Sequence, residues 1–176
     1  MTLANDRANE DRAEFRLTRV FSAPRDLVFR IWTDPKYVAI WWGIEGSTNP
    51  VVELDVRPGG RWRIHMHTAN GAVYQNGGTY LEVVENERLV STDVSDRASP
   101  AWKGPPPGDR LNTVIFEDAG DGTRVTLRVQ FKSVADRDQF LRAGVKEGIS
   151  QTLDRFERVL ETLNTWQPAK PGGHNG

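Results

Sequence analysis

The chain has 176 residues, no cysteine and a formal net charge of −1 at pH 7. Because cysteine is absent, disulfide scaffolds, thiolate metal sites and a cysteine nucleophile are excluded. The balance of 23 basic against 24 acidic residues argues against a broad nucleic-acid surface, and 38% hydrophobic residues is typical of an ordinary folded protein.

Both ends of the chain lack the pattern of a packed element. Residues 1–13 are polar, and residues 166–176 contain prolines and glycines that cannot sustain a helix. The N-terminal stretch has no apolar run typical of a secretory signal. The sequence also lacks a run of about 20 apolar residues, so no membrane span is predicted. We expect one domain over residues 14–165 between two disordered tails, in a cytoplasmic protein.

The domain begins with a predicted strand and two short helices. Apolar residues alternate over residues 15–21, which indicates a strand. Pro24 then stands where a first helical residue is expected, and apolar residues follow it at helical spacing. Asp34 and Pro35 end this helix and begin a second one over residues 36–42.

The middle of the chain predicts an antiparallel sheet. Six further segments have the pattern of strands, namely residues 51–56, 61–67, 73–84, 88–94, 111–117 and 123–131. The third of them is interrupted by Gly77 and Gly78, which indicates a bulge or a close backbone approach.

The last predicted element is a long amphipathic helix over residues 134–164. Its apolar residues recur at spacings of three and four and form one stripe, made of Val145, Ile149, Leu153, Phe156, Leu160 and Leu163. The element order is α+β. The economical packing curves a sheet of about six to seven strands around this helix.

A series of motifs runs through the domain in a fixed order. They are residues 21–35 (FSAPRDLVFRIWTDP), 40–43 (IWWG), 55–62 (DVRPGGRW), 78–82 (GTYLE), 87–90 (ERLV) and the final helix. This order resembles the START-like (SRPBCC) superfamily, whose fold is a helix grip, and most closely the family of homologues of the activator of the heat-shock protein 90 ATPase. Two features depart from that family: Ile44 stands where proline often follows, and the loop Ser99–Asp109 is longer than such a hairpin needs.

The resemblance implies a deep, mostly apolar cavity between the sheet and the long helix, where members of the superfamily bind small apolar molecules. We therefore expect the protein to bind a small apolar ligand and to need no cofactor. The residues expected to form the site are Trp42, Trp62, Ile64, Met66, Tyr74, Tyr80, Val129, Phe131, Phe140, Gly144, Glu147, Gly148 and Gln151. Two alternatives stay open: a co-chaperone-like regulator of a chaperone ATPase, and a cyclase- or hydrolase-type enzyme acting in the same cavity. A homodimer is compatible with the sequence.

Several of these residues also have a purely structural interpretation. Gly144 and Gly148 are expected on one helix face, where they leave room either for a ligand or for the close approach of a strand or loop. Trp42 is a candidate for the cavity mouth, whereas Trp62 is expected to pack in the core. Trp102 lies in the long loop and could act as a lid, a dimer contact or a loop anchor.

The sequence does not assemble a catalytic constellation or a metal site. His65 and His67 alternate on a strand whose opposite face is apolar, so both are expected to point toward solvent, and no third ligand is visible. Glu82, Glu147 and Tyr80 are candidates for acid–base or hydrogen-bonding roles in a cavity. The simpler interpretation of the two carboxylates is that they are solvated.

Overall fold

A seven-stranded antiparallel sheet forms the frame of the protein, whose computed structural model describes residues 13–95 and 109–164. The strands are β1 (Glu14–Phe21), β2 (Thr48–Leu54), β3 (Arg61–His67), β4 (Val73–Val84), β5 (Arg88–Ser95), β6 (Arg110–Ala119) and β7 (Gly122–Gln130). Their order is β1-β7-β6-β5-β4-β3-β2, so the first strand pairs with the last. The predicted sheet is confirmed.

Parts of the sequence-based predictions lie outside the described residues. These parts are residues 1–12 and 165–176, together with most of the Ser99–Asp109 loop and its Trp102. The range of 14–165 for the domain therefore stays a prediction, and so does any role of the loop.

Two short helices follow β1, as predicted: α1 (Arg25–Thr33) and α2 (Pro35–Trp41). Asp34 lies between them and caps α2, since its side chain accepts a hydrogen bond from the Lys36 N–H at 2.9 Å. Pro35 occupies the first position of α2, where its missing N–H leaves no helical hydrogen bond unmade. Because α2 ends at Trp41, Trp42 belongs to the loop that leads to β2.

The C-terminal helical region consists of two helices, α3 (Val134–Arg142) and α4 (Val145–Asn164), and the prediction of one continuous helix is wrong. The break lies at Gly144, whose φ of +75° is left-handed and cannot continue a right-handed helix. A glycine inside a helix costs only about 1 kcal/mol, so spacing alone did not separate a tolerated glycine from a helix end. Gly144 and Gly148 therefore do not share a helix face, because only Gly148 belongs to α4.

Gly78 in β4 permits a close approach of two neighbouring strands. A Cβ at this position would overlap the Thr92 carbonyl oxygen and lie 2.7 Å from Trp62 Nε1. Trp62 is the register partner of Gly78 and donates its Nε1–H to that same carbonyl at 3.0 Å. Of the two interpretations of the glycine pair, close approach is correct at Gly78. The irregularity of β4 lies further along, between Tyr80 and Glu82.

The core lies between the inner face of the sheet and the apolar stripe of α4. Leu153, Phe156 and Leu160 of this stripe are buried. The Phe156 ring lies 5.0 Å from that of Phe21 and 5.1 Å from that of Trp41, measured between centroids. Each fully buried side chain of this size contributes about 1.5–3 kcal/mol. The predicted α+β helix-grip architecture is confirmed.

The described helices include none that is long and apolar enough to cross a membrane.

Candidate functional site

A cavity of about 530 Å³ lies between the sheet and α4. Its lining comes from strands β2 to β7, from the two short helices and the loop after α2, and from α3, the α3–α4 link and the first turns of α4. Most of the lining side chains are aromatic or aliphatic. Sites that enclose small molecules commonly have volumes of about 300–1,000 Å³ and a mainly apolar lining with a few polar groups.

All of the residues predicted for the site except Phe131 line this cavity. They are Trp42, Trp62, Ile64, Met66, Tyr74, Tyr80, Val129, Phe140, Gly144, Glu147, Gly148 and Gln151. Phe131 directly follows the last residue of β7 and is not among the residues that line the cavity. It packs instead in a small cluster with Phe15, Val129 and Phe140, its ring centroid 5.0 Å from that of Phe140.

Tryptophans build one wall of the cavity. The rings of Trp42 and Trp62 are 6.1 Å apart, and those of Trp41 and Trp42 are 5.7 Å apart. Trp41 and Trp62 are buried and fixed by hydrogen bonds, since Trp41 Nε1–H donates to the Ile31 carbonyl at 3.1 Å and Trp62 donates to Thr92. Trp42 is only partly buried. The wall is therefore preformed, and Trp42 is its more accessible member.

Arg155 of α4 fastens the loop between α2 and β2, which also borders the cavity. Its guanidinium donates to the carbonyls of Ile40 at 2.6 Å, Ile44 at 2.7 Å and Ser47 at 3.1 Å, and to the Ser47 hydroxyl at 2.7 Å. Burial lowers the pKa of the Arg155 guanidinium, and the nearby Glu45 partly opposes this shift. We call residues 42–47, held in this way, the latched loop.

Two further contacts hold the latched loop to α4. Gln151 accepts a hydrogen bond from the Glu45 N–H at 3.0 Å, and Arg158 pairs with the Glu45 carboxylate at 2.6 Å. Gln151 was predicted in the cavity lining, whereas Arg155 was not among the predicted residues. The available signal was the helical spacing of Gly148, Gln151 and Arg155, which puts all three along one side of α4.

A buried polar group interrupts the apolar lining. Asp93 of β5 and Arg110 of β6 are opposite each other in the sheet and form an ion pair of 2.7 Å, with exposures of 8% and 9%. Asn112 donates its Nδ2–H to the same carboxylate oxygen, Asp93 Oδ2, at 3.1 Å. The Arg110 guanidinium lies 5.4 Å from the centre of the Phe140 ring. We call Asp93, Arg110 and Asn112 the polar corner.

None of the three residues of the polar corner was predicted from the sequence. The alternation of β5 and β6 could have indicated this group. Asp93 is an even number of residues from the apolar Leu89, and Asn112 from Val114, so each lies on the same face of the sheet as its apolar neighbour. Two polar residues at inward-facing positions of neighbouring strands predict either a buried pair or a ligand contact.

The candidate acid–base residues do not converge in the cavity. Burial raises the pKa of the Tyr80 phenol, which lines the cavity, to about 12. Glu82 lies beyond the strand irregularity and pairs with Arg88, and the hydrogen bond from Arg88 lowers the pKa of the Glu82 carboxyl. Glu147 is exposed at the rim.

The histidine prediction is partly wrong. His67 is exposed, as expected, whereas His65 is only partly exposed and its Nε2 is buried. Within residues 13–95 and 109–164, no three acidic or histidine side chains are arranged to hold a metal ion.

Comparison with known families gives one match. The sequence profile of the family described as Activator of Hsp90 ATPase homolog 1-like protein matches residues 22–161. Among curated proteins, no sequence matches the chain.

Solved bacterial structures share the fold. A protein from Chromobacterium violaceum is 31% identical with a TM-score of 0.69, and the match covers 85% of this chain and 97% of that chain. A protein from Mycobacterium smegmatis is 27% identical with a TM-score of 0.76, covering 87% of this chain and 94% of that chain. The AHSA1 protein from Silicibacter pomeroyi is 24% identical with a TM-score of 0.71, covering 86% and 99%, which is a likeness of fold alone.

Proposed function

Because the chain belongs to the family described as Activator of Hsp90 ATPase homolog 1-like protein, and because its fold encloses a cavity of about 530 Å³, we propose that it binds a small, largely apolar molecule between the sheet and α4. The cavity is the observation that carries this proposal. Each 100 Å² of apolar ligand surface that is buried there contributes about 2.5 kcal/mol to the binding free energy. A ligand of moderate size buries several times this area, and the sum offsets the free-energy cost of association.

The rigidity of the lining supports the proposal. Trp62 is fixed by its hydrogen bond to Thr92, and the latched loop is fixed by Arg155. A site whose walls are already ordered loses little conformational freedom when the ligand enters, and this preorganisation favours affinity.

A cavity-filling substitution tests the proposal. Val114 lies in the middle of β6 and lines the cavity, so Val114→Trp should occupy part of the space with an indole. We expect the neutral dye N-phenylnaphthylamine to bind the unmodified protein saturably, with a rise in dye fluorescence. In Val114→Trp its affinity should fall by about tenfold or more, since the indole displaces apolar contact area.

Val94→Trp is the matched control, because Val94 is 48% exposed on β5 and does not line the cavity. This variant should bind the dye as the unmodified protein does. Equal loss of binding in both variants, or unchanged binding in Val114→Trp, would contradict the proposed site. Circular dichroism and urea unfolding verify that both variants are folded.

The family description favours a second candidate function, the regulation of a chaperone ATPase. Such a role needs a docking surface rather than a cavity, so Val114→Trp should leave it intact. The measurement is the ATP hydrolysis rate of heat-shock protein 90 with and without this protein. An unchanged rate at saturating concentration would eliminate the candidate.

A further inference from the structure

The polar corner contains two acceptor oxygens that its own donors leave unused. Arg110 Nη2 and Asn112 Nδ2 both donate to Asp93 Oδ2. Asp93 Oδ1 and Asn112 Oδ1 are buried, and neither accepts a hydrogen bond from the part of the chain that the structure describes. Buried acceptors are nearly always paired in folded proteins, so two unpaired ones in one group need an explanation.

The position of these oxygens connects them with the cavity. Asp93 and Asn112 both line it, and they lie on neighbouring strands in diagonal register, since Asp93 faces Arg110 and Ser91 faces Asn112. Ser91 and Asn76 line the same region and add polar character to it. The remainder of the lining is mainly apolar, so the polar corner gives the cavity a distinct end.

The charges of the polar corner favour a neutral ligand group. The Asp93 carboxylate is already paired with the Arg110 guanidinium at 2.7 Å, so a cationic ligand would meet a neutralised pair rather than a bare negative charge. A hydroxyl or phenol supplies the donor that these oxygens lack and adds no net charge to a buried site.

We propose that the polar corner recognises the hydroxyl or phenol group of a neutral ligand, which donates a hydrogen bond to Asp93 Oδ1 or Asn112 Oδ1 while its apolar body fills the remaining cavity. This inference rests on the proposed function and narrows its ligand class to hydroxylated apolar molecules. A ligand of the same shape without a donor would leave both oxygens unpaired and would bind more weakly.

Two probes of similar shape test the inference. In para-phenylphenol the ring carries a hydroxyl, and in para-methoxybiphenyl a methyl group replaces the donated proton. Isothermal titration calorimetry, or displacement of N-phenylnaphthylamine, gives both dissociation constants at neutral pH. We expect the phenol to bind about fivefold to tenfold more tightly than the ether, as one hydrogen bond predicts.

Two substitutions assign the preference to the polar corner. Asn112→Leu removes the acceptor Asn112 Oδ1, keeps a similar shape and leaves the Asp93–Arg110 pair in place. Asp93→Asn replaces one of the two carboxylate oxygens by an amide NH2 group, which donates hydrogen bonds and does not accept them. Each should reduce the ratio of the two dissociation constants by about threefold. Gln75→Met is the control, because Gln75 is exposed on β4 and does not line the cavity, so its ratio should stay unchanged.

The outcomes separate the two proposals. Equal affinities for phenol and ether in the unmodified protein would overturn the inference and leave the proposed function standing. A preference that persists in both Asn112→Leu and Asp93→Asn would place the acceptor of the ligand's hydrogen bond elsewhere and would also overturn the inference. Failure of both probes to bind while N-phenylnaphthylamine binds would overturn the inference alone, whereas failure of all three molecules to bind would contradict both proposals. If Asp93→Asn fails to fold, Asn112→Leu and the probe comparison decide the result.

Discussion

Arg155 is the single residue on which the latched loop depends most directly. Replacing it by methionine keeps much of the side-chain bulk but removes the charged donor from the carbonyls of Ile40, Ile44 and Ser47. We expect Arg155→Met to lower the free energy of unfolding by about 2–4 kcal/mol, because several partly buried acceptors lose a charged donor. Urea denaturation measures the change.

Arg158→Met is the matched control for this prediction. Arg158 lies about one turn after Arg155 in α4 and makes an exposed ion pair with Glu45 of the latched loop, the side chains being 56% and 67% exposed. Pairs of this kind contribute about 0–1 kcal/mol, so the variant should unfold at nearly the urea concentration of the unmodified protein. Equal destabilisation by both substitutions would show that Arg155 does not have the special role assigned to it.

Because Tyr80 is buried, we predict that the free energy of unfolding decreases at alkaline pH. Burial raises the pKa of its phenol from 10.0 in the unfolded chain to about 12 in the fold, so deprotonation favours the unfolded state. The contribution of Tyr80 to stability is intact below pH 10 and is lost as the pH rises toward 12, where the loss amounts to about 2 kcal/mol. Urea unfolding measured across this range should show the decline.

The comparison of two Tyr→Phe variants isolates this effect. Tyr80→Phe cannot ionise and should lose the part of the alkaline decline that Tyr80 causes. Tyr37→Phe, in α2 and away from the cavity lining, keeps Tyr80 and should decline as the unmodified protein does. An identical pH dependence of Tyr80→Phe and the unmodified protein would contradict the assignment.

The residues of the cavity were predictable to different degrees, for physical reasons. Trp62 and Ile64 face the core because a strand has a period of two, and alternation in the sequence displays that period directly. The pair of Asp93 and Arg110 depends on the register between two strands, which residues 96–109 separate in the chain. Register across such a connection is set by the packing of the whole sheet, and no local pattern specifies it.

At the scale of elements, the two glycines near the start of α4 should respond to alanine in opposite directions. Gly148 has an ordinary helical position, where an added Cβ meets only Ile44 Cγ2 at 3.4 Å. Gly148→Ala should therefore raise the free energy of unfolding by about 0.5–1 kcal/mol. Gly144 has a φ of +75°, so Gly144→Ala should lower it by about 1 kcal/mol despite the open space around its Cβ.

Thermal or urea unfolding of the two variants tests the helix break itself. Stabilisation by both substitutions would indicate that residues 134–164 form one helix in solution, as the sequence spacing predicted. Opposite signs would establish that Gly144 is needed for its left-handed conformation and Gly148 is not.

The helices show where sequence patterns carry enough information and where they do not. The stripe of α4 was predictable, since Leu153, Phe156 and Leu160 recur with the helical period over many turns. The end of α3 was not, because it depends on the backbone conformation of one glycine. The two short helices were predictable from local chemistry, namely the cap at Asp34 and the proline that follows it.

At the scale of the whole molecule, the interior between α4 and the sheet is divided into a packed part and a cavity. The half of α4 that contains Phe156 and Leu160 packs tightly against the sheet, whereas the half that begins at Val145 borders the cavity. The break at Gly144 separates α3 from α4 beside this open half. One end of the fold therefore supplies stability, and the other encloses the space proposed for the ligand.

The most direct test of this account is a crystal structure of the protein with N-phenylnaphthylamine. We predict that electron density for the dye lies between the sheet and α4, in contact with Trp62 and Val114. An interior filled by the protein's own side chains, with the dye bound only on the outer surface, would contradict it.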